Sequence, residues 1–231
     1  MGILQYKEVT KRYGSSLALD HLDLDLEPGR IVGLLGPNGA GKTTMIKMAA
    51  GLIQPSAGTV LVDGMEPGVA TKNEVAYLAD KVVFSDYMTA QDLVKMHEEF
   101  FKDFDRKKAV DMLISLGIKG SMKVGEMSKG TKEKLQLILV MSRKAKVYLL
   151  DEPVGGVDPA ARDYILDTII TNYSPDALVV ISTHLISEVE SVLDDIVFVK
   201  EGKIFLHRPA DELREENGKS VEELFKGVFK C

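Results

Sequence analysis

The chain has 231 residues, 45% of them hydrophobic and 28% charged, with a net charge of −6. That is a soluble globular composition, long enough to bury a substantial core in one domain. The acidic balance, with a pI of about 5.3, argues against a nucleic-acid binder, which needs surface cations to displace counterions.

The opening MGILQYKEVT lacks a basic start followed by an apolar run, so no secretory leader is expected. From Asp20 to Leu26, DHLDLDL alternates with period two, the pattern of a strand with one wet face. Asp20, Asp23 and Asp25 belong to that solvated face rather than to a metal site. Glu27 to Arg30 is turn chemistry, and Ile31 to Leu35 is a short apolar run expected as a buried strand. A Gly-rich loop follows, then a helix over 43–50 stopped by Gly51. Strands are expected over 59–62 and 74–78.

The pattern then turns helical from 88 to about 116, opened by a capping box at Thr89-x-x-Asp92. A further helix runs over 131–144, with Leu135, Ile138 and Leu139 at helical spacing. Beyond it come a buried strand at 147–150, a helix at 158–172, a strand at 178–182 and a hairpin over 196–206. The tail, about 209–231, reads as two short amphipathic helices around Asn217-Gly218 that cover the core. Asn172-Tyr173-Ser174 matches a glycosylation sequon, meaningless without secretion. Cys231, the single cysteine, can make no internal bridge, which suits a reducing compartment. No run approaches the ~18 uncharged apolar residues of a spanning helix. The expected fold is α/β, a mainly parallel sheet in one domain over 1–231, with a helical subdomain inserted at about 85–144.

Two segments carry chemistry. Gly36-Pro37-Asn38-Gly39-Ala40-Gly41-Lys42-Thr43 fits G-x-x-x-x-G-K-[ST], with a strand before and a helix after. Its glycines turn backbone N–H groups onto a β-phosphate, and Lys42 reaches the β/γ oxygens. The Thr43 hydroxyl, followed by Thr44, is placed for Mg²⁺. Such a loop needs an acidic element on a neighbouring strand, and Val147 to Glu152 supplies it. There Asp151 can hold Mg²⁺ and Glu152 can polarise an attacking water. The pair points to hydrolysis of a nucleoside triphosphate.

The segment Met127-Ser128-Lys129-Gly130-Thr131 is a second donor-rich helix start. With the loop and the acidic pair, it makes residues 2–207 resemble the ATP-binding subunits of ATP-binding-cassette (ABC) transporters. The resemblance implies a P-loop core with an N-terminal antiparallel β part, ATP and Mg²⁺ as ligands, and two cassettes that close on two nucleotides. Ser128 and Gly130 of one chain would meet the γ-phosphate held by the other. Met127, Lys129 and Thr131 depart from the usual Leu-Ser-Gly-Gly-Gln. By position, Tyr13 matches the aromatic that stacks on adenine, Asp158 the loop that joins the two sites, and His184 the histidine that contacts the γ-phosphate. Asp80 stands where the family usually has Gln, as a third group toward Mg²⁺.

The resemblance further implies a motor subunit, on the inner face of the cell membrane, for separate integral-membrane subunits. Phe84 to Phe104 lies near the groove that receives them, with at least half of its large apolar residues left to the subdomain's own core. The Ser-Lys-Gly signature resembles the bacterial export branch. The alternative is a soluble cassette ATPase acting on ribosomes or DNA, which usually carries two cassettes and a basic linker, or long coiled coils or zinc sites. A plain metabolic P-loop kinase would lack the signature and His184.

Overall fold

In the computed structural model, which describes residues 2–81, 84–155 and 159–229, the N-terminal alternation builds a small antiparallel sheet. Strands β1 (Leu4–Tyr13), β2 (Ser16–Leu26) and β4 (Ala57–Val62) lie in the order β2-β1-β4. Leu22, Leu24 and Leu26 point inward, while His21, Asp23 and Asp25 face water. Asp23 caps the Glu8 amide, Asp25 accepts from Gln5, and Asp20 pairs with Lys203, so the acidic strand face is structural.

The centre of the second sheet is built from wholly buried apolar runs, β3, β6 and β7, while its β9 edge is partly exposed. β3 (Ile31–Leu35), β5 (Val75–Leu78), β6 (Val147–Asp151), β7 (Leu178–Thr183) and β8 (Asp195–Lys200) are parallel, and β9 (Lys203–Pro209) returns antiparallel to β8. Their order is β5-β6-β7-β3-β8-β9. β6 is therefore not the neighbour of β3, as the loop-plus-acid reading expects; β7 lies between them. Helix α1 (Lys42–Ala49) sits between the sheets, with Met45, Ile46 and Met48 buried against Leu22 and Val180. The Tyr6 hydroxyl donates to the Met45 carbonyl at 3.0 Å. The opposite sheet face carries α5 (Pro159–Asn172), α6 (Ile186–Val189), α7 (Ala210–Asn217) and α8 (Val221–Phe229). In α8, Phe225 and Phe229 close on Phe198, with ring centroids 5.5 and 6.0 Å away, so the tail does cover the core.

A third cluster joins α2 (Ala90–Phe100), α3 (Arg106–Ser115) and the front of α4 (Lys129–Met141) through Leu93, Leu113, Leu135 and Ile138. The Thr89/Asp92 capping box forms as expected. The continuous helix expected over 88–116 does not. It breaks at 101–105, where the Asp105 carboxylate takes the Lys108 amide at 3.0 Å and starts a new helix. Arg143 fixes that break. Its guanidinium is buried, pairs with Asp103 at 3.0 Å, donates to the Lys72, Asn73 and Val75 carbonyls, and lies 4.0 Å from the Phe101 ring centre. One cation thus knots the helical cluster to the edge of the parallel sheet.

Candidate functional site: a phosphate cleft at the strand ends

Parallel sheets present ligand sites beyond the carboxyl ends of their strands, and here three such ends converge. The loop after β3 turns tightly into α1. Gly41 has φ 112°, and a Cβ there would lie 2.6 Å from Leu19 Cδ2 and 2.9 Å from the Ala18 carbonyl. The β8–β9 turn braces the loop from outside, with the Gly202 amide donating to Ala40 at 3.0 Å. Lys42 is buried and folds back over the loop. Its ammonium donates to the Gly36 carbonyl at 2.7 Å and the Pro37 carbonyl at 3.3 Å, and lies 3.8 Å from Glu152. Burial pulls its pKa below the usual lysine range, while the charges of Glu152 and Asp151 oppose that pull.

Although β7 separates the strands, Asp151 reaches the loop. Its Oδ1 accepts from Thr43 at 3.1 Å and from Ser182 at 2.6 Å. Its Oδ2 is buried with no partner. Burial, helped by Asp80 and Glu152, pushes the Asp151 carboxyl up, and the two hydroxyl donors resist. Glu152 takes the left-handed backbone conformation with φ 51°, a cost of ~1–3 kcal/mol for a residue with a Cβ. Two constraints hold it there: its amide donates to the Ser182 carbonyl at 3.0 Å, and its carbonyl accepts from Gly155 at 3.0 Å. The turn aims its carboxylate at the loop, with Oε2 3.0 Å from His184 Nδ1.

Lys42, Thr43, Glu152 and His184 line one cleft of about 500 Å³, joined by Asn38, Thr44, Asp80 and Lys129, and Asp151 reaches it through its bond with Thr43. Buried Lys, a hydroxyl–carboxylate pair and a strained Glu beside an exposed His form a phosphate-handling constellation.

Residues 19–155 match the family model described as ABC transporter. The chain belongs to the ABC transporter family. The cassette is an ATP-binding ATPase of that family, as its loop, acidic strand and signature segment indicate. It is 31% identical over 228 residues to the bacitracin transport ATP-binding protein BcrA of Bacillus licheniformis, covering 95% of this chain and 74% of that one. To the SkfA peptide export ATP-binding protein SkfE of Bacillus subtilis (strain 168) it is 28% identical, covering 96% of each. Among solved structures, a dimer of the cassette MJ0796 in a post-hydrolysis state bound to ADP and Pi superposes with a TM-score of 0.77 at 20% identity. That match covers 89% of this chain and 98% of the other.

The remaining sequence-derived residues of the cassette divide sharply. Gly36 and Pro37 bind Lys42 through their carbonyls, and the segment 38–44 lines the cleft. Asp80 is on its rim. Tyr13 is half exposed at the end of β1, with the Lys11 ammonium 5.1 Å from its ring centre, and is not among the cleft-lining residues. Ser128 caps α4, accepting from the Thr131 amide at 3.2 Å, and Gly130 has open space where a Cβ would point. Neither lines this cleft, but Lys129 between them does. Asp158 lies outside the described residues, as does Cys231. Ser182, Gly155 and Gln136 were missed by sequence reasoning. Only Ser182 had a signal, since it sits two residues before His184 at the end of a buried run.

Proposed function

We infer that this cassette is the motor subunit of a transporter whose membrane subunits are separate chains, and that it works toward export. What carries the reading is the meeting of Lys42, the Thr43–Asp151 pair, Glu152 and His184 in one cleft. The amides of 36–44 and Lys42 take the ATP phosphates. Glu152, 3.0 Å from His184, orients the attacking water and receives its proton. His184 faces the outgoing phosphate. Tyr13 packs on adenine at the cleft mouth, and Asp80 reports nucleotide state to the helical cluster.

The site fits Mg²⁺. Asp151 Oδ2 is buried and unsatisfied, and Thr43 offers a hydroxyl oxygen beside it, a hard-oxygen set. Among the described residues no three His, Cys, Asp or Glu converge as a metal cage. A Mg²⁺ site needs none, since one or two carboxylates and substrate phosphates complete it. When bound, the ion neutralises charge on the phosphates; Thr43 and Asp151 would hold it, with Asp80 nearby.

Ser128 and Gly130 are not among the residues lining this cleft, which suits a role toward the nucleotide of a second cassette, a copy or a paralogue. The MJ0796 cassette is a dimer. A membrane partner fits the seam between 69–77 and α2. Phe100 and Val69 are exposed there beside Met96, His97 and Phe101, around a groove of about 470 Å³. Phe84 and Met88 instead pack on the helical cluster, which Met96 also touches. Among the described residues no helix is long and apolar enough to cross a membrane, so attachment is peripheral, at the inner face. The name of SkfE supports export. Capture of tagged Glu152→Gln protein from membranes with Mg-ATP tests the reading. A stoichiometric multi-span protein is expected; ribosomal or DNA-repair factors in its place would overturn it.

A further inference from the structure

β7 lies between the strand that carries the acids and the strand that carries the loop. Its register sets Ser182 level with Asp151 on one side and with Leu34 on the other. Ser182 meets Asp151 and, two residues on, His184 meets Glu152. Thr183 between them is occupied elsewhere, its hydroxyl accepting the Leu185 amide at 3.0 Å.

Ser182 is wholly buried, and a serine hydroxyl has one proton to give. Here the proton goes to Asp151 Oδ1 at 2.6 Å. The hydroxyl oxygen accepts the Glu152 amide at 3.3 Å, and the carbonyl of the same serine accepts it at 3.0 Å. With an N–H donor on its oxygen, the hydroxyl keeps its proton directed at Asp151.

The Asp151 carboxylate is therefore held asymmetrically. Oδ1 takes two donors, Ser182 and Thr43. Oδ2 takes none, although it is buried. A bare buried acceptor is costly, and rotation of the carboxylate would relieve it by sharing the donors. Anchoring Oδ1 prevents that rotation and keeps Oδ2 aimed and free, as outer partners do for ligating carboxylates. Of the two anchors, Thr43 is itself assigned to the ion. Ser182 is the one that does not also face it.

We propose that Ser182 is a positioning residue for the metal, whose hydroxyl holds Asp151 by Oδ1 and so presents Oδ2 to Mg²⁺. The assignment rests on the reading of Thr43 and Asp151 as the Mg²⁺ pair.

The test is equilibrium binding of a non-hydrolysable ATP to the full chain, with Mg²⁺ and with excess EDTA. The quantity read is the gain in affinity that Mg²⁺ brings. Ser182→Ala removes the hydroxyl but keeps the carbonyl that holds the Glu152 amide. The gain should shrink about tenfold, the low end for an outer partner of a metal ligand, with affinity in EDTA at the parent value. Ser182→Cys, close in shape but a weak donor, should lose gain in the same direction. In an Asp151→Asn background Ser182→Ala should cost no further gain, since the serine acts through that carboxylate. An undiminished gain in both serine variants overturns the proposal. So does an equal loss with and without Mg²⁺, which marks a general structural defect, and so does a further loss in the Asp151→Asn background. If Asp151→Asn alone keeps the parent's gain, the Mg²⁺ reading itself fails, and the proposal with it.

Discussion

The loop corner after β3 and the front of α4 are both built for phosphate, yet they are finished to different degrees. At the corner the groups are already engaged, Asp151 Oδ2 excepted. Lys42 is buried under two carbonyls, Thr43 holds Asp151, and a Cβ at Gly36 would lie 2.5 Å from the Val199 carbonyl. At the front of α4, Ser128 takes the Thr131 amide of its own helix, Lys129 is mostly exposed and pairs with Glu133 at 3.7 Å, and a Cβ at Gly130 would have open space. The first region is preorganised for one nucleotide. The second keeps unpaired amides at a helix start, which favour an anion brought from elsewhere.

The sharpest test removes chemistry from the finished corner and leaves the other alone. Glu152→Gln keeps the shape and the His184 contact but no longer takes a proton. ATP turnover should fall by ~10²–10⁴-fold, the usual worth of a positioned base. Binding of Mg-ATP should survive, and the protein should accumulate as a dimer when saturated. A variant that turns over at the parent rate would take the base role from Glu152. One that stays monomeric under saturating ATP would leave the front of α4 without its anion.

This asymmetry explains what was legible in the sequence. The P-loop could be read because its chemistry is local: glycines, Lys42 and Thr43 are consecutive, and Ile31–Leu35 announces the strand beneath them. DHLDLDL was legible for the same reason, since period two needs no tertiary partner. Long-range facts were not. That β7 separates β3 from β6 is a matter of sheet order, and Glu152 takes φ 51° because Ser182 and Gly155 hold it there. The helix break at 101–105 depends on Arg143, about forty residues on. Likewise, only the docking of α4 through Gln136 and Ala79 turns Lys129 toward the cleft.

Arg143 offers a way to pull the two regions apart. Replacement by Met keeps much of the apolar stem. It leaves Asp103 without its cation and the Lys72, Asn73 and Val75 carbonyls without their donor. Breaking such a buried pair costs ~3–5 kcal/mol. Denaturant unfolding should show that loss, since the helical cluster is tied to the sheet at this point. If the corner is self-sufficient, ATP binding at low temperature should persist while concentration-dependent hydrolysis fails. Loss of both at once would mean that the corner relies on the helical cluster for its order.

A pair of glycine substitutions probes the same contrast on a smaller scale. Gly41→Ala forces a Cβ onto φ 112° and into Leu19 and the Ala18 carbonyl; strain and overpacking each cost ~1–3 kcal/mol. Gly130→Ala adds a methyl to open space inside a helix, where Ala is favoured by ~1 kcal/mol over Gly. Thermal melts should therefore drop for the first and hold or rise for the second. Hydrolysis by Gly130→Ala should fall only at concentrations where cassettes pair. Equal melting of the two variants would remove the distinction between a filled and a waiting phosphate site.

The smallest effect asks whether the corner is strained by its own charge before ATP arrives. Asp151 is pushed above the usual carboxylate range chiefly by burial. The folded protein therefore holds that proton to higher pH than the unfolded chain. Stability is lost as pH climbs from the ordinary carboxylate value through the raised one. Asp151→Asn removes the charge and keeps an acceptor for Thr43 and Ser182, against a modest cost for a buried amide donor at the Oδ2 position. At neutral pH the nucleotide-free variant should melt ~2–4 °C above the parent, the shift expected for ~1 kcal/mol in a chain of this size. The gap should close on acidification, once the parent's Asp151 is protonated too. Mg-ATP should reverse the order, because only the parent gains a cation at the buried oxygen. Calorimetry across pH, with and without Mg-ATP, reads both signs. A variant less stable at every pH would show that the hydrogen bonds of Asp151, rather than its charge, govern the empty site.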